Sequence, residues 1–461
     1  MIIKQPSQLV DELRQTFRSG KTRALSWRSE QLLALKRMLV DNEPMLAAAL
    51  EADLGKSPIE AYTTEIGFCL NEIDHALKNL GAWVEPRKVK VPLSQRPGRA
   101  EVIPEPRGVT FIIAPWNYPL HLLVAPLTAA IAAGNTVVAK PSELSPATSK
   151  VLGELIPKYL DDEAIALVEG DASVAEALLE VRFDHIFFTG GGRIATKVLA
   201  AAAPHLTPVT LELGGKSPAL VDASANLAST ARRIAFGRFL NAGQTCVAPD
   251  YVLVHRSQEE ELVGLIAETV GQFFGENPQE SPDYGRIINE HHARRLANLI
   301  DEGGWDHLVI GGQVDIDDRY IAPTVMSGVD LDSAVMADEI FGPILPVIAV
   351  DSMDDAIDIV NDRPQPLSLY IFSEDDNMVE HIIGNTSSGG VCVNHTLLQL
   401  GVPDLPFGGV GPSGMGAYHG QAGFEEFSHL KSVFHKASKP DPSIMYPPYS
   451  KLKTRIIRAA L

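Results

Sequence analysis

The sequence predicts an α/β protein built from two units of parallel, doubly wound sheet and one small β excursion. Three observations predict it. Short apolar runs alternate with helical patterns from Val109 to Ala203, the signature of a parallel sheet wound with helices. A second alternating region starts after Glu212 and reaches Asn394. Between the N-terminal part and the first of these lies Val84-Glu85-Pro86-Arg87-Lys88-Val89-Lys90-Val91-Pro92, basic and broken by prolines. It cannot be helix interior, and it alternates as an exposed strand does.

At 461 residues the chain exceeds what one core usually spans, so two or three domains are expected. Apolar residues at 45% and charged residues at 21% suit a soluble globular protein. A net charge of −19 argues against nonspecific nucleic-acid binding and against docking on anionic membranes. The cysteines, at 69, 246 and 392, are odd in number and show no CxxC spacing. Neither a disulfide framework nor a zinc site is expected, and a reducing cytoplasm fits. The opening Met1-Ile2-Ile3-Lys4-Gln5-Pro6 lacks the apolar core of a signal peptide. No apolar run approaches the roughly 18–20 residues of a membrane span.

Residues 7–80 read as helices, with Leu32, Leu33, Leu35, Leu39 and Val40 near a 3.6 period. Cys69 sits among apolar neighbours as a core residue. Then come a strand at Val109–Ile113, a helix over Leu120–Ala133, a strand at Thr136–Lys140 and a helix over Pro146–Leu160. A strand at Ala164–Val168, a helix over Ala172–Val181, a strand at His185–Phe188 and a helix over Ile194–Ala203 complete the first region. The second has strands at Ala219–Val221, Tyr251–Val254, Ile344–Val350, Ser368–Phe372 and Gly389–Asn394, and helices over Leu227–Leu240, Gln258–Phe273 and Asp354–Val360. Phe427–Phe434 is strand-like and is expected to pair with the 84–100 excursion. The basic, partly apolar Lys451–Leu461 reads as a surface helix.

Ligands of such sheets bind at the carboxyl ends of the strands. Three ends draw notice: Trp116-Asn117-Tyr118, Lys140-Pro141-Ser142-Glu143, and Thr189-Gly190-Gly191-Gly192-Arg193 before a helix. A glycine turn into a helix N-terminus suits a pyrophosphate, since free N–H groups and the helix dipole face the anion. It is equally an ordinary turn, and no GxGxxG is present. Cys246 follows Gly243-Gln244-Thr245, no core pattern, and reads as a displayed nucleophile. Glu212, among apolar neighbours and before glycines, reads as a general base with a raised pKa or as a plain carboxylate. Asn117 can donate to an oxyanion or cap the next helix. Lys140 can meet cofactor hydroxyls or pair with a carboxylate, Glu143 can accept ribose hydroxyls or be solvated, and Glu339 is equally open. Cys392 reads as structural.

Together these segments resemble the aldehyde dehydrogenase superfamily, over nearly the whole chain. The points are Pro115-Trp116-Asn117-Tyr118-Pro119, Lys140-Pro141-Ser142-Glu143, Phe188-Thr189-Gly190, Leu211-Glu212-Leu213-Gly214-Gly215-Lys216, Gly243-Gln244-Thr245-Cys246, Glu339-Ile340-Phe341-Gly342-Pro343 and Pro406-Phe407-Gly408-Gly409. Ala248-Pro249-Asp250-Tyr251 and Gly414-Met415-Gly416-Ala417-Tyr418-His419-Gly420 are similar to the class-three branch, which takes aromatic and medium- or long-chain aldehydes.

The resemblance implies a Rossmann-like NAD(P)-binding domain (1–82 and 102–210), an α/β catalytic domain (211–422), a bridging segment (83–101 and 423–440) and a tail (441–461). It implies Cys246 as nucleophile, Glu212 as the base of deacylation, and Asn117 with the Cys246 N–H as oxyanion donors. Lys140 and Glu143 would bind the adenosine ribose, Gly190, Gly191 and Gly214 would approach the cofactor, Glu339 and Phe341 would meet the nicotinamide ribose, and Trp116 and Tyr118 would line the site. It also implies an aldehyde substrate, NAD or NADP as cofactor, a homodimer and no membrane anchor, since Lys451–Leu461 lacks the long apolar tail of membrane-bound members. A carboxylate at Glu143 favours NAD, although the branch also accepts NADP. The chain departs from the family where Gly191, Gly192, Arg193 and Ala195 replace its usual pyrophosphate segment. A CoA-acylating relative would not need Glu212, a catalytically silent relative would not need both Cys246 and Glu212, and an esterase would not need nicotinamide. Val247, Leu398, Leu400, Val402 and Leu405 suggest an apolar entrance.

Overall fold

The structure, a computed structural model, describes residues 5–460. Residues 1–4, expected to hold no signal core, and Leu461 lie outside the described residues.

A six-stranded sheet runs in the order Gly414–Met415, Val209–Glu212, His185–Thr189, Val109–Ile113, Thr136–Lys140, Ile165–Leu167. Only the first pairing is antiparallel. Alternation along the strands serves two cores. Val109, Phe111, Val138, Ile186 and Phe188 pack with the helix Pro6–Ser19. Ile112, Val137, Ala139 and Phe187 pack with the helices Leu25–Asp41, Glu43–Leu54, Gly67–Trp83 and His121–Ala133. The last of these is buried on every side, so its composition shows no polar stripe.

A seven-stranded sheet runs Trp305–Ile310, Thr324–Val329, Ile344–Val350, Tyr251–His255, Pro218–Val221, Ser368–Phe372, Gly390–Val393. It too is parallel except at one edge pair, Trp305–Ile310 with Thr324–Val329. Its outer elements Trp305–Ile310, Thr324–Val329 and the helix Glu290–Asp301 have no counterpart in the sequence reading.

The expected excursion forms a three-stranded antiparallel sheet, Arg87–Val89, Gly98–Pro106, Ser428–Lys436. The 84–100 stretch is thus two strands with a turn between, and the second strand continues past the expected limit at 101. Ser428–Lys436 pairs with Gly98–Pro106 along its whole length and, among the described residues, with no other strand. Lys451–Ala460 is helical.

Candidate active site

The carboxyl ends of the first sheet face the Cys246 loop across a cavity of about 450 Å³. The first sheet contributes Pro115, Trp116 and Asn117 after one strand, Thr189, Gly190 and Gly191 after the next, and Glu212 and Gly214 after the third. The other wall holds Cys246, His292, Arg295, Leu299, Glu339 and Phe341. Of the residues singled out from sequence, Lys140, Glu143 and Tyr118 do not line it. Lys140 is buried at its strand end, where Nζ donates to the exposed Glu143 Oε2 at 3.0 Å, the carboxylate-pairing alternative. Tyr118 lies behind the wall, sharing a hydrogen bond of 2.6 Å with Thr245 Oγ1.

Cys246 is half-buried. Burial, then the charges of Glu339 and Glu212, push its thiol far up, so the resting thiol is protonated. Its loop is tied from several sides. Asn241 and Ala242 hold left-handed backbones at φ 52° and 50°. The Asn241 N–H donates to Glu60 Oε1 at 2.9 Å, and Gln244 Nε2 donates to Asn241 O at 3.0 Å and Arg286 O at 2.9 Å. Burial raises the Glu60 carboxyl to about 7. Gly243, at φ 74°, is required by space as well: a Cβ there would stand 2.2 Å from Gly342 O.

Glu212 ends its strand in the core, 2% exposed, with neither carboxyl oxygen hydrogen-bonded among the described residues. Burial and, secondarily, Glu426 push its pKa well up. The sequence left base and bland roles open. A buried, unpartnered carboxyl on a cavity wall is poised to exchange a proton with something inside.

Asn117 is buried and does not cap a helix. The N–H groups of Leu120 and His121, where that helix starts, go to Glu65 instead. Asn117 Nδ2 donates to Gln244 O at 3.1 Å, which leaves its second N–H for the cavity.

Glu339 is half-buried, raised to about 8 by burial and by Asp250. A Cβ on Gly214 would lie 2.1 Å from its carboxylate, so a side chain there would shift the carboxylate from its present position. Asp250 anchors this turn, accepting from Lys216 Nζ at 2.7 Å, Arg238 at 2.9 Å and the Ile340 N–H at 3.2 Å. Trp116 meets Phe341 edge-on at 5.2 Å and tilts against His292 at 5.2 Å.

His292, Arg295 and Leu299 were missed, because their helix Glu290–Asp301 was not read. The signal was present: Asn289 caps His292 N–H at 2.9 Å, and Ala293, Leu296 and Ile300 recur at helical spacing. Of the residues expected to form an apolar entrance, none lines this cavity. Val247 is buried with Leu367 and Leu397, Cys246, Leu400 and Phe407 pack on them, and Leu398, Val402 and Leu405 are exposed.

A model of the aldehyde dehydrogenase family matches residues 4–433. The chain is 48% identical over 446 residues to aldehyde dehydrogenase family 3 member A2 of Rattus norvegicus, covering 96% of this chain and 92% of that one. It is 46% identical over 443 residues to 4,4'-diaponeurosporen-aldehyde dehydrogenase of Staphylococcus aureus, covering 96% of each. A solved structure of Staphylococcus aureus AldH in its substrate-bound state superposes with a TM-score of 0.95 at 45% identity, over 98% of both chains. Similarity of this extent, in sequence and in fold, leads to one conclusion: the chain belongs to the aldehyde dehydrogenase family and is an NAD(P)-dependent enzyme that oxidises aldehydes to carboxylic acids.

Proposed function

We propose that Cys246, Glu212 and Asn117 carry this reaction, on aromatic or medium- to long-chain aldehydes. The observation that supports it most is the meeting, on one cavity, of a half-buried thiol with a buried carboxyl that has no partner in the protein. Cys246 Sγ gives its proton to water in the cavity, and the thiolate adds to the carbonyl carbon. The carbonyl electron pair moves to oxygen, which accepts from the free N–H of Asn117 and the Cys246 N–H. Bound NAD(P) supplies the acceptor for the hydride that leaves the carbon. Glu212 then takes a proton from water as its oxygen attacks the thioester, the C–S bond breaks, and the acid leaves with the thiolate regenerated.

The residues fit the cofactor. Gly191 starts the helix Gly192–Ala202 with no side-chain cap, and a Cβ at Gly191 or Gly192 would meet nothing within 4 Å, which leaves room for a pyrophosphate at the helix N-terminus. Thr189 Oγ1, on the cavity wall, is buried without a partner. Gly190, Gly191 and Gly214 would approach the cofactor, Trp116, Glu339 and Phe341 its nicotinamide side, and Lys140 and Glu143 the adenosine ribose. The apolar cluster of Val247, Leu367, Leu397 and Phe407 beside the thiol favours apolar acyl groups.

The proposed division is an NAD(P)-binding domain on the six-stranded sheet, a catalytic domain on the seven-stranded sheet and a bridge of three strands. The open edge of Ser428–Lys436 supports a homodimer, because a long unpaired edge is a template for another strand. A cytoplasmic setting is proposed from three unbridged cysteines. Among the described residues no helix is long and apolar enough to cross a membrane.

The test is a panel of aldehydes with NAD or NADP, followed by absorbance of the reduced nicotinamide. Turnover that fails with every aromatic and long-chain aldehyde, while Cys246 remains alkylatable, would overturn the substrate class.

A further inference from the structure

The turn that carries Asn117 is gripped from behind by a buried ion pair. The side chains of Lys56 and Glu65 are both 0% exposed and face each other directly. Lys56 Nζ donates to Glu65 Oε1, donates to Asn117 O at 3.2 Å, and lies 4.0 Å from the centroid of the Tyr118 ring. The other oxygen of Glu65 accepts the N–H groups of Leu120 at 2.9 Å and His121 at 3.1 Å. One pair therefore holds the middle and the helix end of the short turn between the strand Val109–Ile113 and the helix His121–Ala133.

Neither residue lines the cavity, so neither touches substrate. Removing two charges from water is costly, and apolar replacements of a buried pair are often as stable or more so. Stability alone therefore does not account for it. What the turn must do is aim an amide. The side chain of Asn117 spends one N–H on Gln244 O, and its backbone oxygen takes Asn241 Nδ2 at 2.8 Å as well as Lys56. The remaining N–H is aimed by the bond of the side-chain amide to Gln244 O and by the backbone that carries it, whose oxygen Lys56 holds, and a misplaced donor forfeits most of its effect on an oxyanion.

We infer that Lys56 and Glu65 are positioning residues for the oxyanion donor, locking the Asn117–Tyr118 peptide so that the free N–H of the Asn117 amide points at the aldehyde oxygen bound beside Cys246. The inference rests on the oxyanion role of Asn117, and the test separates the two. Lys56→Met and Glu65→Gln, singly and together, are made in the parent and in Asn117→Ala, and the burst of reduced nicotinamide is timed with hexanal.

In the parent, each single substitution slows the burst about 10- to 100-fold, with KM for the cofactor changed less than about 2-fold. In Asn117→Ala the same substitutions slow it less than about 2-fold further, because the group they position is gone. The double variant regains melting temperature relative to the single ones, the charge imbalance being relieved, but not burst rate. An unchanged burst in Lys56→Met, equal losses in both backgrounds, or recovery of rate together with melting temperature overturns the inference. A full burst in Asn117→Ala itself overturns the oxyanion reading and this one with it. Should Lys56→Met fail to fold, Glu65→Gln, which keeps an acceptor for the two N–H groups, decides by the same cycle.

Discussion

Glu212 and Cys246 are both harder to deprotonate than their free counterparts, and for one reason. Each lies where water is scarce, and each raises the cost of charge on its neighbours. The active forms of both are the deprotonated ones, so kcat/KM, which reports the thiol in acylation, and kcat, which reports Glu212 in deacylation, are each expected to rise with pH above neutrality. Alkylation of Cys246 by iodoacetamide should climb over the same range, with no plateau near neutrality. A flat profile in either measurement would count against the placement of these groups. Cys246→Ala should abolish both burst and turnover. Glu212→Gln should keep a burst of reduced nicotinamide and lower the steady-state rate about 100-fold or more, because acylation does not need the carboxylate and deacylation does. Full turnover in Glu212→Gln would remove it from deacylation.

Among the elements, the loop before Cys246 is the most constrained. Three consecutive residues, Asn241, Ala242 and Gly243, have positive φ, a costly conformation for the two that are not glycine. Gly243→Ala would add a Cβ against Gly342 O in the same region. It is expected to cost about 2 kcal/mol or more and to change the alkylation rate of Cys246; thermal melts and thiol titration read the two effects.

Most strands of both sheets were legible because buried parallel strands are short apolar runs with clear ends, as at Val109–Ile113 and Ile344–Val350, whereas Val209–Glu212, Trp305–Ile310, Thr324–Val329 and Gly414–Met415 were not. The helix Glu290–Asp301 was hidden by its charge, since only Ala293 and Leu296 are buried in it. The partner of Asn117 was hidden by distance along the chain. Capping of the helix at His121 by Glu65 is a tertiary contact with no local pattern. Thiol, carboxylate and amide were thus readable as motifs, while what holds them was not.

On the scale of the whole molecule, the buried carboxyls tie stability to pH. Glu339 is raised to about 8. A group whose folded pKa is raised gives stability that is complete below its unfolded value and is lost as pH rises through the folded one. Glu339→Gln removes that dependence, so the variant should gain stability relative to the parent as pH goes from about 5 to about 8. After discounting for partial exposure, the relative gain is on the order of 1 kcal/mol, measurable from denaturant curves at the two pH values. A relative loss at the higher pH would contradict the burial argument. Light scattering should give the mass of two chains, and proline at Val433, in the open-edge strand Ser428–Lys436, should lower it.

The contact between Gly214 and Glu339 has a further consequence for anyone diversifying this enzyme. The two positions come from opposite walls of the cavity, yet a side chain at 214 would force the Glu339 carboxylate to shift. A library that varies residue 214 alone therefore also moves the Glu339 carboxylate in every clone. The effect of a side chain at 214 should therefore depend on the length of the one at 339, so the two sites form a single unit of inheritance.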